Sequence, residues 1–140
     1  MGVSRIEDLV AWQAAMAFKV EVYGLIQQSP SACLDFRFRD QLRESAASVG
    51  INIAEGFYRF GAREFARYLT IALASLGEAT LWLQDGIDRR HFDPTACEPA
   101  FRLAKRCRIA TLRLRHALQA MAEKSSPETK VPKNRKPQAQ

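Results

Sequence analysis

The chain has 140 residues, 47% of them apolar, which excludes a disordered chain and suffices for one domain with its own core. The net charge is +6: residues 1–122 carry 16 Lys/Arg against 13 Asp/Glu, and residues 123–140 carry 5 against 2, so half of the excess sits in the last 18 residues. This balance favours acidic partners such as nucleic acid, and no apolar run approaches the ~20 residues of a membrane-spanning helix.

Four segments show helical period and none shows sustained alternation, so the fold class is all-α. The first spans about Ile6 to Gln28. Ser4 with Glu7 reads as a capping box, and Leu9, Trp12, Met16, Val20, Tyr23 and Ile26 form an apolar stripe that "QQSPS" ends. The second spans about Leu34 to Tyr58, with Phe38, Leu42, Val49, Ile53 and Phe57 in line and Ala46 and Gly50 allowing close approach. The third spans about Ala62 to Arg90. Its Phe65, Leu69, Ala72, Leu76, Ala79, Leu83 and Gly86 step alternately by four and three, a heptad seam. Gly61 is placed to cap it, and Glu64 suits the positive end of the helix dipole.

The fourth opens at Asp93-Pro94, a plausible N-cap and first turn. Ala100, Leu103, Cys107, Ala110, Leu114, Ala117 and Met121 repeat the seam. Residues 123–140, with three prolines and almost no large apolar residue, are expected to form a disordered basic tail after a bundle over residues 1–122. Helices of roughly 22 to 30 residues with short connections favour an antiparallel, up-down-up-down four-helix bundle. Cys33, Cys97 and Cys107 are odd in number and lack CxxC spacing, and "MGVSRIEDLV" lacks an apolar signal core. Reduced thiols and a cytoplasmic location are expected.

Polar residues interrupt this pattern in the stretch "ASVGINIAEGFYRFGAREF". Gln41, Ser45, Ser48, Asn52, Glu55 and Arg59 share one edge of the second helix, and Ser75 and Glu78 border the third seam. Polar groups at a seam cost stability but fix register and partner choice. A structural role for Asn52, Glu55 and Glu78 is preferred over a catalytic one, with Glu55 expected to bond another helix or subunit.

"NIAEG" at 52–56, preceded by "RDQLRESAASVGI", together with "EDLVAWQAA" and "EFARYLTIALASLGEA", resembles the four-helix bundle family also called 23S rRNA intervening-sequence proteins. The resemblance covers roughly residues 6–120. It implies a bundle that assembles into a ring-like homopentamer. The family also looks related to the accessory protein of diversity-generating retroelements, a basic pentamer that binds a reverse transcriptase and nucleic acid. Gly61-Ala62 departs from the Ser or Thr common at that turn, and the tail lies outside the signature.

Catalytic patterns are weak. The histidines are His91 and His116, and Asp88-Arg-Arg-His91 is a single carboxylate–histidine spacing at a helix end, so both read as bland surface residues. Glu55 and Glu78 could approach as a carboxylate pair, but they have no nucleophile beside them. No phosphate loop, zinc spacing or Ser-His-Asp set is visible, so neither an enzyme nor a cofactor is expected. The fourth helix is more informative. Arg102, Arg106 and Arg113 cluster on one flank, while Lys105, Arg108 and Arg115 spread over the other flank and outer face, beside Phe101, Ile109 and Leu112. These six cations are the candidate nucleic-acid-binding residues. A solvated charged face, or carboxylates of a neighbouring subunit, would produce the same spacing. Phe36, Phe38, Phe57, Tyr58 and Phe60 among Arg37, Arg39, Arg59 and Arg63 could clamp a single strand, or pack the helix ends. The expected function is a non-enzymatic homo-oligomeric adaptor or assembly protein whose basic surface engages RNA, DNA or a ribonucleoprotein. The alternative is a purely structural protein–protein scaffold.

Overall fold

Three apolar side chains open the fold: Ile6 and Leu9 are buried, and Val3 packs against the same core. The computed structural model describes residues 2–126. A 3-10 turn, Ile6–Asp8, leads into α1, Val10–Gln27, whose N-cap is Leu9. Ser4 therefore caps nothing, which corrects the expected capping box. Burial of Ile6 and Leu9 sets the entry instead, and Gln13 Nε2 donates to the Glu7 carbonyl at 2.7 Å to fasten the turn.

The second segment divides. Ser29 caps a short α2, Pro30–Leu34, its Oγ accepting from the Ala32 amide at 3.2 Å with Pro30 in the first turn. Asp35, at φ −86° and ψ 79°, breaks the helix before α3, Phe36–Phe57. Gly61 then takes φ +100°, a left-handed conformation that a side chain would strain, and caps α4, Ala62–Asp88. Arg90 takes φ 63° where helices usually place glycine. The His91 amide donates to the Gly86 carbonyl and the Arg90 amide to the Ile87 carbonyl, both at 2.9 Å, closing a Schellman end. Asp93 and Pro94 start α5, Pro94–Ser125, without a side-chain cap bond. Helix thus continues through residues 123–125 of the expected tail, and residues 127–140 lie outside the described residues.

The four long helices α1, α3, α4 and α5 form a helical bundle. α3 packs on α4, α4 on α5, α5 on α1 and α1 on α3. All seven expected seam residues of α4 are buried. The stripe of α1 is rotated from expectation. Phe18 and Val22 are fully buried beside Ala11, Ala14 and Ala15, whereas Val20 is 63% exposed. Small alanines let the partner backbones approach, so the face they line is the one that packs. In α5 the buried line runs Cys97, Ala100, Ala104, Cys107, Thr111 and Leu118. Ala117 and Met121 are exposed, one residue off the expected seam. At the α3–α4 contact, a Cβ on Gly56 would stand 2.7 Å from Phe65 Cδ2 and 2.8 Å from Tyr68 Cβ, so only glycine fits there.

Candidate functional site

Residues 99–122 of α5 contain six Lys/Arg and no Asp or Glu. Helical period brings Arg102, Lys105, Arg106 and Arg113 to the side facing α1, where they rim a shallow groove of about 510 Å³. Val10, Ile109 and Ala110 line it with them. Val10 is 55% exposed and Ile109 42% exposed, so this apolar patch is open. On the other flank, Lys105 and Arg108 edge a smaller groove of about 260 Å³ over Leu73, Leu76, Phe101 and Ala104, between α4 and α5. Five of the six candidate cations therefore share one continuous surface, with Lys105 on both grooves. Arg115 stands apart: it is half-buried and donates to Thr70 Oγ1 on α4 at 3.2 Å.

Clustering of unpaired cations distinguishes this surface. Elsewhere among the described residues Arg5 is matched with Glu7, Arg39 with Asp40, Arg59 with Glu55, Arg67 with Glu64, and Arg89 with both Asp35 and Asp85, while the unmatched Arg37, Arg43, Arg63 and Arg90 are scattered along the chain. Among the described residues, Arg102, Lys105, Arg106, Arg108 and Arg113 have no carboxylate within 4.0 Å. Among the described residues, neither groove contains an imidazole, carboxylate or thiol. The surface has the chemistry to bind an anion and lacks a group to act on one. Val10 could not be foreseen as part of it, because it comes from the start of another helix.

The polar edge of α3 resolves into two parts. Asn52 Nδ2 donates to the Ser48 carbonyl at 2.8 Å and to Ser48 Oγ at 2.9 Å, and Ser48 Oγ meets Ser75 Oγ of α4 at 2.9 Å. Among the described residues, Glu55 reaches no other helix of its own chain, which leaves the subunit half of the expectation. It is exposed and accepts from Arg59 Nη2 at 2.8 Å, four residues on, the spacing of one helical turn. Arg59 in turn lies over the Tyr68 ring at 4.9 Å, and Arg67 over the same ring at 4.7 Å. Hydrogen bonding from Arg67 holds the Glu64 carboxyl below its ordinary value, against the opposing effect of burial. Glu78 accepts from Trp82 Nε1 at 3.4 Å. Gly56 abuts Phe65 and Tyr68, while Glu78 lies ten residues further along α4, about 15 Å at the helical rise. Glu55 and Glu78 are therefore not a carboxylate pair.

The basic and aromatic residues around α3 do not form one clamp. Phe36, with Arg39 at 5.0 Å, is at its start, and Tyr58, Phe60 and Arg63 lie beyond its end. Phe38 is buried.

His91 corrects the sequence reading most strongly. Its side chain is only 11% exposed. Nε2 lies 2.8 Å from Asp35 Oδ2, Nδ1 lies 2.9 Å from Ser31 Oγ, and the ring rests against Phe38 at 4.9 Å between centroids. A Ser-His-Asp set is therefore present in space. His91 first, and Arg89 after it, hold the Asp35 carboxyl below its ordinary value against a partial desolvation. Burial pushes the thiols of Cys97 and Cys107 up to about 11. Among the described residues, no group of three His, Cys, Asp or Glu is placed to hold a metal, and no helix is long and apolar enough to cross a membrane.

No curated protein matches the chain. The family model described as 23S rRNA-intervening sequence protein matches residues 7–110, and the chain belongs to that family.

Proposed function

We propose that the protein is a homo-oligomeric adaptor or assembly protein that binds nucleic acid, or a ribonucleoprotein, through the basic surface of α5. The observation that carries this reading is the gathering of Arg102, Lys105, Arg106, Arg108 and Arg113 on one continuous surface with, among the described residues, no carboxylate within 4.0 Å of any of them. Guanidinium groups donate in pairs to phosphate oxygens, and a row of them suits a phosphate backbone better than a single small anion. Among the described residues the grooves present no imidazole, carboxylate or thiol, which favours binding over catalysis on the nucleic acid. An up-down-up-down bundle agrees with Phe38 meeting Trp82, Ser48 meeting Ser75 and Gly56 meeting Phe65. A ring of subunits, a pentamer by the family resemblance, would line up several copies of the basic surface.

Fluorescence anisotropy with labelled single- and double-stranded RNA and DNA tests the reading, with sedimentation on the same samples. Affinity falls steeply with salt as counterions are released, and Arg102, Arg106 and Arg113 changed together to Ala weaken binding to all sequences alike. The scaffold reading is favoured by the exposed apolar floor of Val10 and Ile109. It predicts instead that the triple change breaks the oligomer and that no binding occurs even at about 50 mM salt.

A further inference from the structure

We propose that Ser31 is a base-activated nucleophile that accepts an acyl group from small activated acyl donors, with His91 as its base and Asp35 as a positioning residue. This site is separate from the basic surface of α5, and the inference does not depend on the binding reading.

Proton placement carries it. Asp35 Oδ2 accepts from Arg89 Nη1 at 3.0 Å, and its carboxyl is held ionised, so toward His91 it can only accept. The His91 Nε2, 2.8 Å away, must then carry a hydrogen. In the neutral imidazole this leaves Nδ1 with its lone pair, aimed at Ser31 Oγ at 2.9 Å. Ser31 is the donor of that bond. Its neighbour Ser29 cannot compete for Nδ1: the Ser29 hydroxyl donates to the His91 carbonyl at 2.8 Å and accepts from the Ala32 amide. The base is shielded and oriented by the Phe38 ring, while Ser31 itself is exposed. A nucleophile bonded to a base that is oriented by a third group is the arrangement that nucleophilic catalysis requires. Here the ring nitrogens have the reverse of the common assignment, and the proton relation is unchanged.

The step balances without a cofactor. Ser31 Oγ bonds to the donor's carbonyl carbon and its proton passes to His91 Nδ1. The bond from that carbon to the leaving oxygen breaks, and the leaving group takes the proton from Nδ1. The products are the Ser31 ester and a free alcohol or phenol. None of the grooves described above includes Ser31, so the donor class is small and intrinsically activated, such as an aryl ester.

The test uses the full chain with p-nitrophenyl acetate, peptide mapping by mass spectrometry and the rate of phenolate release. One acetyl group is expected on Ser31, lost in Ser31→Ala. The rate should fall by about 10²-fold or more in His91→Gln and in Asp35→Asn, the scale of general-base catalysis. Asp35→Asn is informative because its carbonyl oxygen can still accept from both Nε2 and Arg89 Nη1, while the negative charge that stabilises the protonated imidazole is removed. Should either variant melt below the assay temperature, the wild-type peptide map decides: acetyl should fall on Ser31 in preference to the exposed hydroxyls of Ser125 and Ser126. Absence of acetyl on Ser31, equal acetylation of Ser31 and Ser126, or an unchanged rate in folded Asp35→Asn overturns the proposal.

Discussion

Gly56 lies so close beneath Phe65 that a single added carbon would stand 2.7 Å from its ring. Glycine costs about 1 kcal/mol of helix propensity against alanine, so the contact is retained against a local preference. Gly56→Ala should nonetheless destabilise the bundle by about 1–3 kcal/mol, because α3 and α4 must separate or the Phe65 and Tyr68 side chains must move. Urea unfolding measures this. A gain in stability would show that the contact is loose.

Asn52 and Glu55, three residues apart, should behave differently. Asn52→Ala removes the amide that binds Ser48 and leaves the half-buried Ser48–Ser75 pair less well held, at a cost of about 1 kcal/mol. Glu55→Ala removes an exposed partner of Arg59 and should leave melting almost unchanged. Thermal denaturation of the two variants side by side checks the contrast. A large loss for Glu55→Ala at concentrations where the protein self-associates would place Glu55 against another subunit.

Acid should loosen the junction between α2 and the α4–α5 turn. The folded Asp35 carboxyl is held below its ordinary value, chiefly by His91 and then by Arg89. A depressed carboxylate contributes stability that is fully present above its unfolded value, about 3.9, and is lost as pH falls through the folded value. Titrating melting temperature downward from about pH 5 should show a loss in the wild type that is smaller in Asp35→Asn. Equal slopes in the two proteins would contradict the linkage.

Arg90 occupies a left-handed backbone position at φ 63°. An L-residue there costs roughly 1–2 kcal/mol that glycine does not incur, partly offset by glycine's greater freedom when unfolded. Arg90→Gly should therefore raise stability by up to about 1 kcal/mol, read as a higher urea midpoint at unchanged slope. A lower midpoint would mean that the arginine side chain makes a stabilising contact.

Legibility in the sequence followed residue size. The α4 seam was readable from Phe65 to Gly86 because large and small apolar residues alternate without competitors. In α1, Trp12, Met16, Val20 and Tyr23 drew attention to one stripe, while Ala11, Ala14 and Ala15 mark the face that packs. Alanine is compatible with core and surface alike, so its pattern carries little weight until a partner helix is present. The cations of α5 were legible for the opposite reason, since charge sorts outward at helical period. The Ser31–His91–Asp35 set was not. Its histidine is 60 residues from the serine and 56 from the aspartate, and only the Asp35 break and the Arg90 turn bring them together.

The acid-free run of α5 also has a mechanical side. Arg102 with Lys105, Arg102 with Arg106, and Lys105 with Arg108 are like charges one helical turn apart, and each such pair weakens a helix by a few tenths of a kcal/mol. Among the described residues no carboxylate lies within 4.0 Å of these four side chains to relieve the repulsion, so packing against α1 and α4 holds α5 together while its charged surface pushes apart. Dissolved salt screens that push and should tighten the free protein even as it loosens a polyanion from it. A bound polyanion would do the same work locally, so the helix would be stiffest when occupied.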